Sequence, residues 1–232
     1  MGSLNSIEVR NNLRSGMTER IVADGSVALR IRYIGKYSVT SVVVTTATNI
    51  VLTPSIGTAV TCTFATYDSM GEVADYINNS DDWSCQLLDV LRSDVTTASP
   101  LVAGTKSVTS AGYYNLPVDT SVALHISYRC AYDRSGDMTK PKGAHRVHLK
   151  GFTYYADLTA AVNKVQIWEY DPVNQSETQI YQALSVTTSS TAINFASGEG
   201  WISSGFGNDL IVRVTTAGAL SDEDLEVSYD RE

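Results

Sequence analysis

The chain has 232 residues, enough for one large β domain or two of ordinary size, and either can bury a real core. Ser (26), Thr (24) and Val (24) far outnumber the 17 Lys and Arg, a balance that suits pleated, half-buried sheets better than helices. A net charge of −8 argues against general nucleic-acid binding, which needs a positive footprint, and 43% hydrophobic residues argue against a wholly disordered chain.

No charged-then-apolar leader is present, and no apolar run approaches the ~18–20 residues of a membrane span. The expectation is therefore a chain made in the cytoplasm, with no membrane partner. Three widely spaced cysteines do not make a disulfide framework.

Residues 1–23 mix polar and charged groups with isolated apolar ones (Leu4, Ile7, Val9, Leu13, Ile21, Val22) and read as an extended arm. Such an arm either frays or orders against a neighbouring subunit. Asp24–Tyr33 follows, and it is echoed by Asp119–Tyr128, with seven of the ten positions identical. Val27, Leu29 and Ile31 alternate with small or polar residues, as do Val122, Leu124 and Ile126, which predicts a half-buried strand in each copy. Two β-rich halves, each opened by this strand, is one reading. Convergence of two strands on a common pattern is another, and two strands of one sheet with residues 35–118 inserted is a third.

Strands are expected at about 27–34, 37–46, 48–53 and 58–66, with Gly35-Lys36 as a hairpin turn. A helix is predicted over 69–79. Ser69 with Glu72 makes a capping box, and Met70, Val73, Ala74 and Ile77 make an i, i+3, i+4, i+7 apolar stripe. Trp83, Cys85 and Leu87 then alternate as a strand, so the helix stripe is expected to cover a sheet.

At Ser69–Asn78 the chain resembles a strand–helix–strand module of virion proteins from tailed bacteriophages and of some flagellar proteins. There a Thr/Ser-x-x-Asp/Glu-Val/Leu-x-x-x-Ile-Asn helix start follows a β-strand. Ser69, Glu72, Val73, Ile77 and Asn78 fill those slots here.

Residues 93–120, rich in Ser, Thr, Gly and Ala with Pro100 and Pro117, read as a long loop or interdomain connection, which puts a boundary near 115. Further strands are expected at about 121–132, 144–155, 162–170, 177–188, 208–216 and 224–230. The expected architecture is mainly β: an arm at 1–23, a β-rich domain at 24–115 carrying helix 69–79, and a β-sandwich at 116–232, jelly-roll-like or immunoglobulin-like.

Candidates for chemistry are thin. His145 and His148, three apart, point to opposite faces of a strand and cannot share a metal there. No Cys-x-x-Cys or His-Glu-x-x-His spacing exists, so no metal or cofactor is expected. Cys62 and Cys85 read as small core residues. His125 is expected to face outward, with no Gly-x-Ser-x-Gly elbow to pair it with a nucleophile. Gly198-Glu199-Gly200 and Gly205-Phe206-Gly207 lack the Lys-Ser/Thr of a phosphate cradle and read as turns. Asp222, Glu223 and Asp224 suit a solvated turn, as do Asp133 and Asp137.

Two features point to contacts instead. Residues 129–150 hold six of the 17 basic residues (Arg129, Arg134, Lys140, Lys142, Arg146, Lys150) against Asp133 and Asp137, which suits either a solvated loop or docking on an acidic neighbour. Trp201 and Phe206 lie in a Gly/Ser-rich loop, where aromatic rings either anchor the loop or bind. Arg134, Lys140, Lys142, Arg146, Trp201 and Phe206 are thus the candidate interface residues.

The pattern as a whole resembles a phage virion structural protein, of the capsid decoration or head-fibre type. The resemblance implies a non-enzymatic protein resident in the virion, often a homotrimer, whose partners are other virion proteins such as the major capsid protein. The alternative is a carbohydrate- or receptor-binding β-module of a phage tail, with Trp201 and nearby Tyr residues as stacking platforms.

Overall fold

The computed structural model describes residues 17–22, 26–45, 47–96, 101–106, 113–119, 121–130, 146–155, 162–187, 191–194, 200–218 and 224–231. They are mainly β, in four antiparallel sheets with one helix among them. They fall into two compact units, one within Ala23–His125 and Gly218–Ser221, the other within Met1–Val22, Ile126–Ala217 and Asp222–Glu232. Sequence patterning set the corresponding segments at 24–115 and 116–232. The arm expected at 1–23 carries a strand, β1 (Met17–Val22), which pairs antiparallel with β16 (Asp224–Arg231). Its other residues lie outside the described ones.

The first unit is organised around β2 (Val27–Tyr33), the middle strand of a three-stranded sheet between β6 (Trp83–Leu87) and β8 (Tyr113–Pro117). Its register sorts the side chains by face. Leu29 lies opposite Leu87 and Leu116, and Ile31 opposite Cys85 and Tyr114; all six are buried. On the other face Arg30 donates from Nε to Asn115 Oδ1 at 3.0 Å, and the Arg32 guanidinium lies over the Tyr113 ring. A one-residue slip would exchange these two sets, so the pattern fixes the register.

A second sheet, β5-β4-β3-β7, is built from β3 (Val39–Thr45), β4 (Asn49–Pro54), β5 (Val60–Thr63) and β7 (Gly104–Lys106). Val42 faces Leu52, Val44 faces Ile50 and Ile50 faces Cys62, all buried. The long loop expected at 93–120 is therefore corrected: β7 and β8 lie inside it.

Helix α1 (Met70–Asn78) forms as predicted, with both bonds of the Ser69/Glu72 capping box present. Its first free N–H groups are taken up by neighbouring carbonyls, Met70 N–H by Asp94 O and Gly71 N–H by Arg92 O, both at 2.8 Å. The stripe Met70, Val73, Ala74, Ile77 is buried, and the helix packs on β6 and β5. At its end Asn78 bonds both backbone groups of Cys85, donating to the carbonyl at 2.9 Å and accepting from the N–H at 2.7 Å.

The second unit has two sheets. One runs β1-β16-β10-β13, with β14 also on β10; the other runs β12-β11-β15-β9. The strands are β9 (His125–Cys130), β10 (Val147–Tyr155), β11 (Val162–Asp171), β12 (Ser176–Thr187), β13 (Thr191–Asn194), β14 (Trp201–Ile202) and β15 (Asp209–Thr216). On β10 the buried residues shift phase from Val147 and Leu149 to Phe152 and Tyr154, and a bulge between Leu149 and Gly151 absorbs the extra residue. Leu149, Phe152 and Tyr154 face Tyr229, Val227 and Leu225 of β16. On the other sheet Val165 and Ile167 face Val214 and Val212. The hydroxyls of Tyr128 and Tyr229 approach to 3.5 Å, so the two inner faces meet as in a β-sandwich.

The echo does not survive as a structural repeat. β2 is a central strand that begins at Val27, whereas the second copy reaches its strand only at His125, leaving Val122 and Leu124 about half exposed. β9 ends its sheet beside β15.

Candidate functional site

The loop after β14 brings two of the candidate interface residues, Arg146 and Phe206, together, and a third, Trp201, lies on β14 just before it. Trp201 pairs with Leu149 and Ile202 with His148. The ladder then runs on through Ser203, whose N–H donates to Val147 O at 2.9 Å and whose Oγ accepts from Val147 N–H at 3.0 Å. Beyond it the chain turns through Ser204–Asn208. Gly207 sits at φ +84°, a conformation that side chains rarely adopt, which accounts for glycine there.

Two opposite charges hold this turn. Arg146 donates from Nε to Ser203 O at 2.9 Å and from Nη2 to Ser204 O at 2.8 Å. Glu169, on β11, gathers three donors on Oε1: Ser204 N–H at 2.7 Å, Ser204 Oγ–H at 2.8 Å and Asn208 Nδ2–H at 2.8 Å. Charge-assisted bonds of this kind are the stronger class. The side chain so presented is Phe206, 68% exposed, with the Arg146 guanidinium 5.7 Å from its ring centre. Ile202 is also exposed. Trp201 leans on Tyr181 of β12, ring centres 5.7 Å apart at 45°.

The loop's own polar groups are thus spent on holding its shape, and what it offers outward is an aromatic ring beside a cation. That arrangement suits recognition, because a fixed loop has little conformational freedom left to lose on binding. Arg134, Lys140 and Lys142 lie outside the described residues. Sequence reasoning missed Glu169, whose partners are 35 and 39 residues further along the chain.

A second polar group lies on β9, β11, β12 and β15. Arg129, placed by sequence within the exposed basic run, is buried instead, with its side chain 1% exposed. Its guanidinium lies over the Tyr170 ring at 4.3 Å, with Asp209 Oδ2 at 3.7 Å and Glu177 Oε1 at 3.8 Å. Arg213, also buried, donates to Ser127 Oγ at 2.9 Å, and Gln166 bonds Gln179 and Gln182. Burial of Arg129 is offset by the two carboxylates and the Tyr170 ring, and that of Arg213 and Gln166 by hydrogen bonds.

The remaining sequence candidates are dispersed. His125, expected to face outward, is largely buried at 12% side-chain exposure, with Nε2 3.4 Å from Asp94 Oδ2. His148 is buried and its Nδ1 lies 2.8 Å from Lys150 Nζ, which in turn reaches Asp230 at 3.0 Å. His145, Asp133, Asp137, Gly198, Glu199, Asp222 and Glu223 lie outside the described residues. Among the described residues no three His, Cys, Asp or Glu side chains converge as metal ligands. Cys62, Cys85 and Cys130 are buried free thiols. Burial pushes the Cys62 thiol up to about 12 and raises that of Cys85 as well. No protein-family model matches the chain, and no curated protein matches it.

Proposed function

We propose that the protein is a non-enzymatic structural protein of a virion, a capsid decoration or head-associated protein that works through protein–protein contacts. The observation that carries this reading is the fixed loop at Trp201–Asn208, which holds Phe206 in solvent beside Arg146. Aromatic rings and arginines are the residue types that dominate binding energy at protein interfaces. The resemblance at Ser69–Asn78 supplies the class of partner. Repeated over a lattice, modest contacts of this sort add up by multivalency.

The test starts from the neighbouring genes, where capsid and portal genes are expected. Heads assembled from those genes are then co-sedimented with the purified protein and with its Phe206→Ser variant. Saturable binding that falls about tenfold or more in the variant supports the reading. A neighbourhood without virion genes, or heads that do not bind, overturns it. Glycan binding that depends on Trp201, read on an array with Trp201→Ala as control, would favour the tail-module alternative instead.

A further inference from the structure

We propose that the outer edge of β12 is where two copies of this chain join, strand against strand, about a two-fold axis near the middle of the strand. β12 ends the β12-β11-β15-β9 sheet, and among the described residues β11 is the one strand paired with it. Its 12 residues span roughly 40 Å, about twice the usual strand. An edge of that length is a row of backbone donors and acceptors ready for another strand. Proteins ordinarily blunt such edges with short strands, proline, charge or a cover.

This chain does so elsewhere. β7 has 3 residues and β14 has 2. β8 ends on Pro117, and the edge of β6 is occupied by the Asn78 amide. β12, by contrast, contains no proline, no glycine and one charged residue, Glu177. That carboxylate is turned inward, with its side chain 6% exposed and 3.8 Å from Arg129.

Charge selects the occupant. With a net charge of −8, two copies repel along most approaches. Along β12 the sole carboxylate faces an internal guanidinium, so two such edges meet without like charges opposed. Leu184, 80% exposed on the same strand, is covered by the seam. Antiparallel pairing about a two-fold is a closed arrangement in which one surface serves both copies. It gives a two-fold assembly in place of the three-fold one that the resemblance implies. It stands apart from the docking of the Phe206 loop, since the two surfaces are tested by different variants.

The experiment is sedimentation equilibrium on the full chain over micromolar concentrations, alongside a Thr178→Lys/Leu184→Lys double variant at two exposed positions. The wild type is expected as a dimer, with the variant's association weakened about tenfold or more and its circular dichroism unchanged. Amide exchange is read in parallel, and protection within 176–187 is expected to rise with wild-type concentration. A wild type that stays monomeric, forms a trimer, or dimerises as tightly in the variant overturns the proposal. Should the variant fail to fold, the wild-type exchange decides alone: no concentration-dependent protection at 176–187 overturns it.

Discussion

Glu169 and Ser204 join the two sheets of the second unit: the carboxylate on β11 accepts the N–H of a residue that follows β14, at 2.7 Å. The same oxygen also takes the Ser204 hydroxyl and the Asn208 amide, so the shape of the loop depends on one side chain from the other sheet.

Glu169→Ala is therefore expected to release the loop. Three donors lose their acceptor, and each bond to a charged group is worth about 1.5–3 kcal/mol, less where water replaces it. The expected outcome is a loss of about 1–3 kcal/mol in chemical denaturation and faster exchange of the Ser204 amide. Glu169→Gln, which keeps a carbonyl oxygen, is expected to retain most of that protection.

Asn78 does for the edge of β6 what a neighbouring strand would do, meeting both backbone groups of Cys85 with one amide. Asn78→Ala leaves a part-buried N–H and C=O to find water. The expected cost is about 1–3 kcal/mol, read as a lower denaturant midpoint at unchanged slope. Asn78→Asp keeps the acceptor but sets a carboxylate against the Cys85 carbonyl, and is expected to cost more than the amide's loss of one bond.

Helix α1 was legible in the sequence because its cap and stripe are local: Ser69, Glu72 and the buried residues all lie within ten positions. The strands with alternating apolar residues were legible for the same reason, among them Trp83-Ser84-Cys85-Gln86-Leu87. β7 was not, since Gly104-Thr105-Lys106 carries no apolar pattern and becomes a strand only because Val42–Val44 offers it an edge. β1 pairs with residues near the far end of the chain, a partnership that no local window contains. The two echoing decapeptides diverge because burial is decided by neighbours: Leu29 lies between β6 and β8, while Leu124 lies before its strand begins. In the candidate site Arg146, Trp201 and Phe206 were visible as residue types, but nothing local marks Glu169, because its donors lie 35 and 39 residues further along the chain.

Arg129 offers a test of buried charge. Replacing it by Met removes the cation and leaves Glu177 and Asp209, both nearly fully buried, facing each other's field. Breaking a buried pair from one side costs about 3–5 kcal/mol, far more than the pair contributes against an apolar replacement. Arg129→Met is expected to destabilise by that amount in urea. Adding Asp209→Asn and Glu177→Gln to it is expected to recover a substantial part, so the triple variant should be more stable than the single. Strict additivity of the separate losses would show that the three side chains do not act together.

The thiols set a limit at high pH. Cys62 is held protonated by burial, its pKa raised to about 12, and Cys85 is shifted in the same direction by burial first and by the nearby Cys62 and Asp75 second. In the unfolded chain both titrate near an ordinary value of about 8.5. A group whose pKa is raised by folding adds stability that is fully present below its unfolded value and is lost as pH climbs towards the folded one. Unfolding releases those protons above about pH 8.5, so stability is expected to fall steadily between about pH 9 and pH 12. Cys62→Ala should flatten that slope in denaturation curves taken across the range. At pH 8 the native protein's Cys62 and Cys85 are expected to resist iodoacetamide until denaturant is added, because the reactive thiolate is scarce and shielded. Rapid labelling of either cysteine in the native state, mapped by mass spectrometry, would show that the first unit opens there without unfolding.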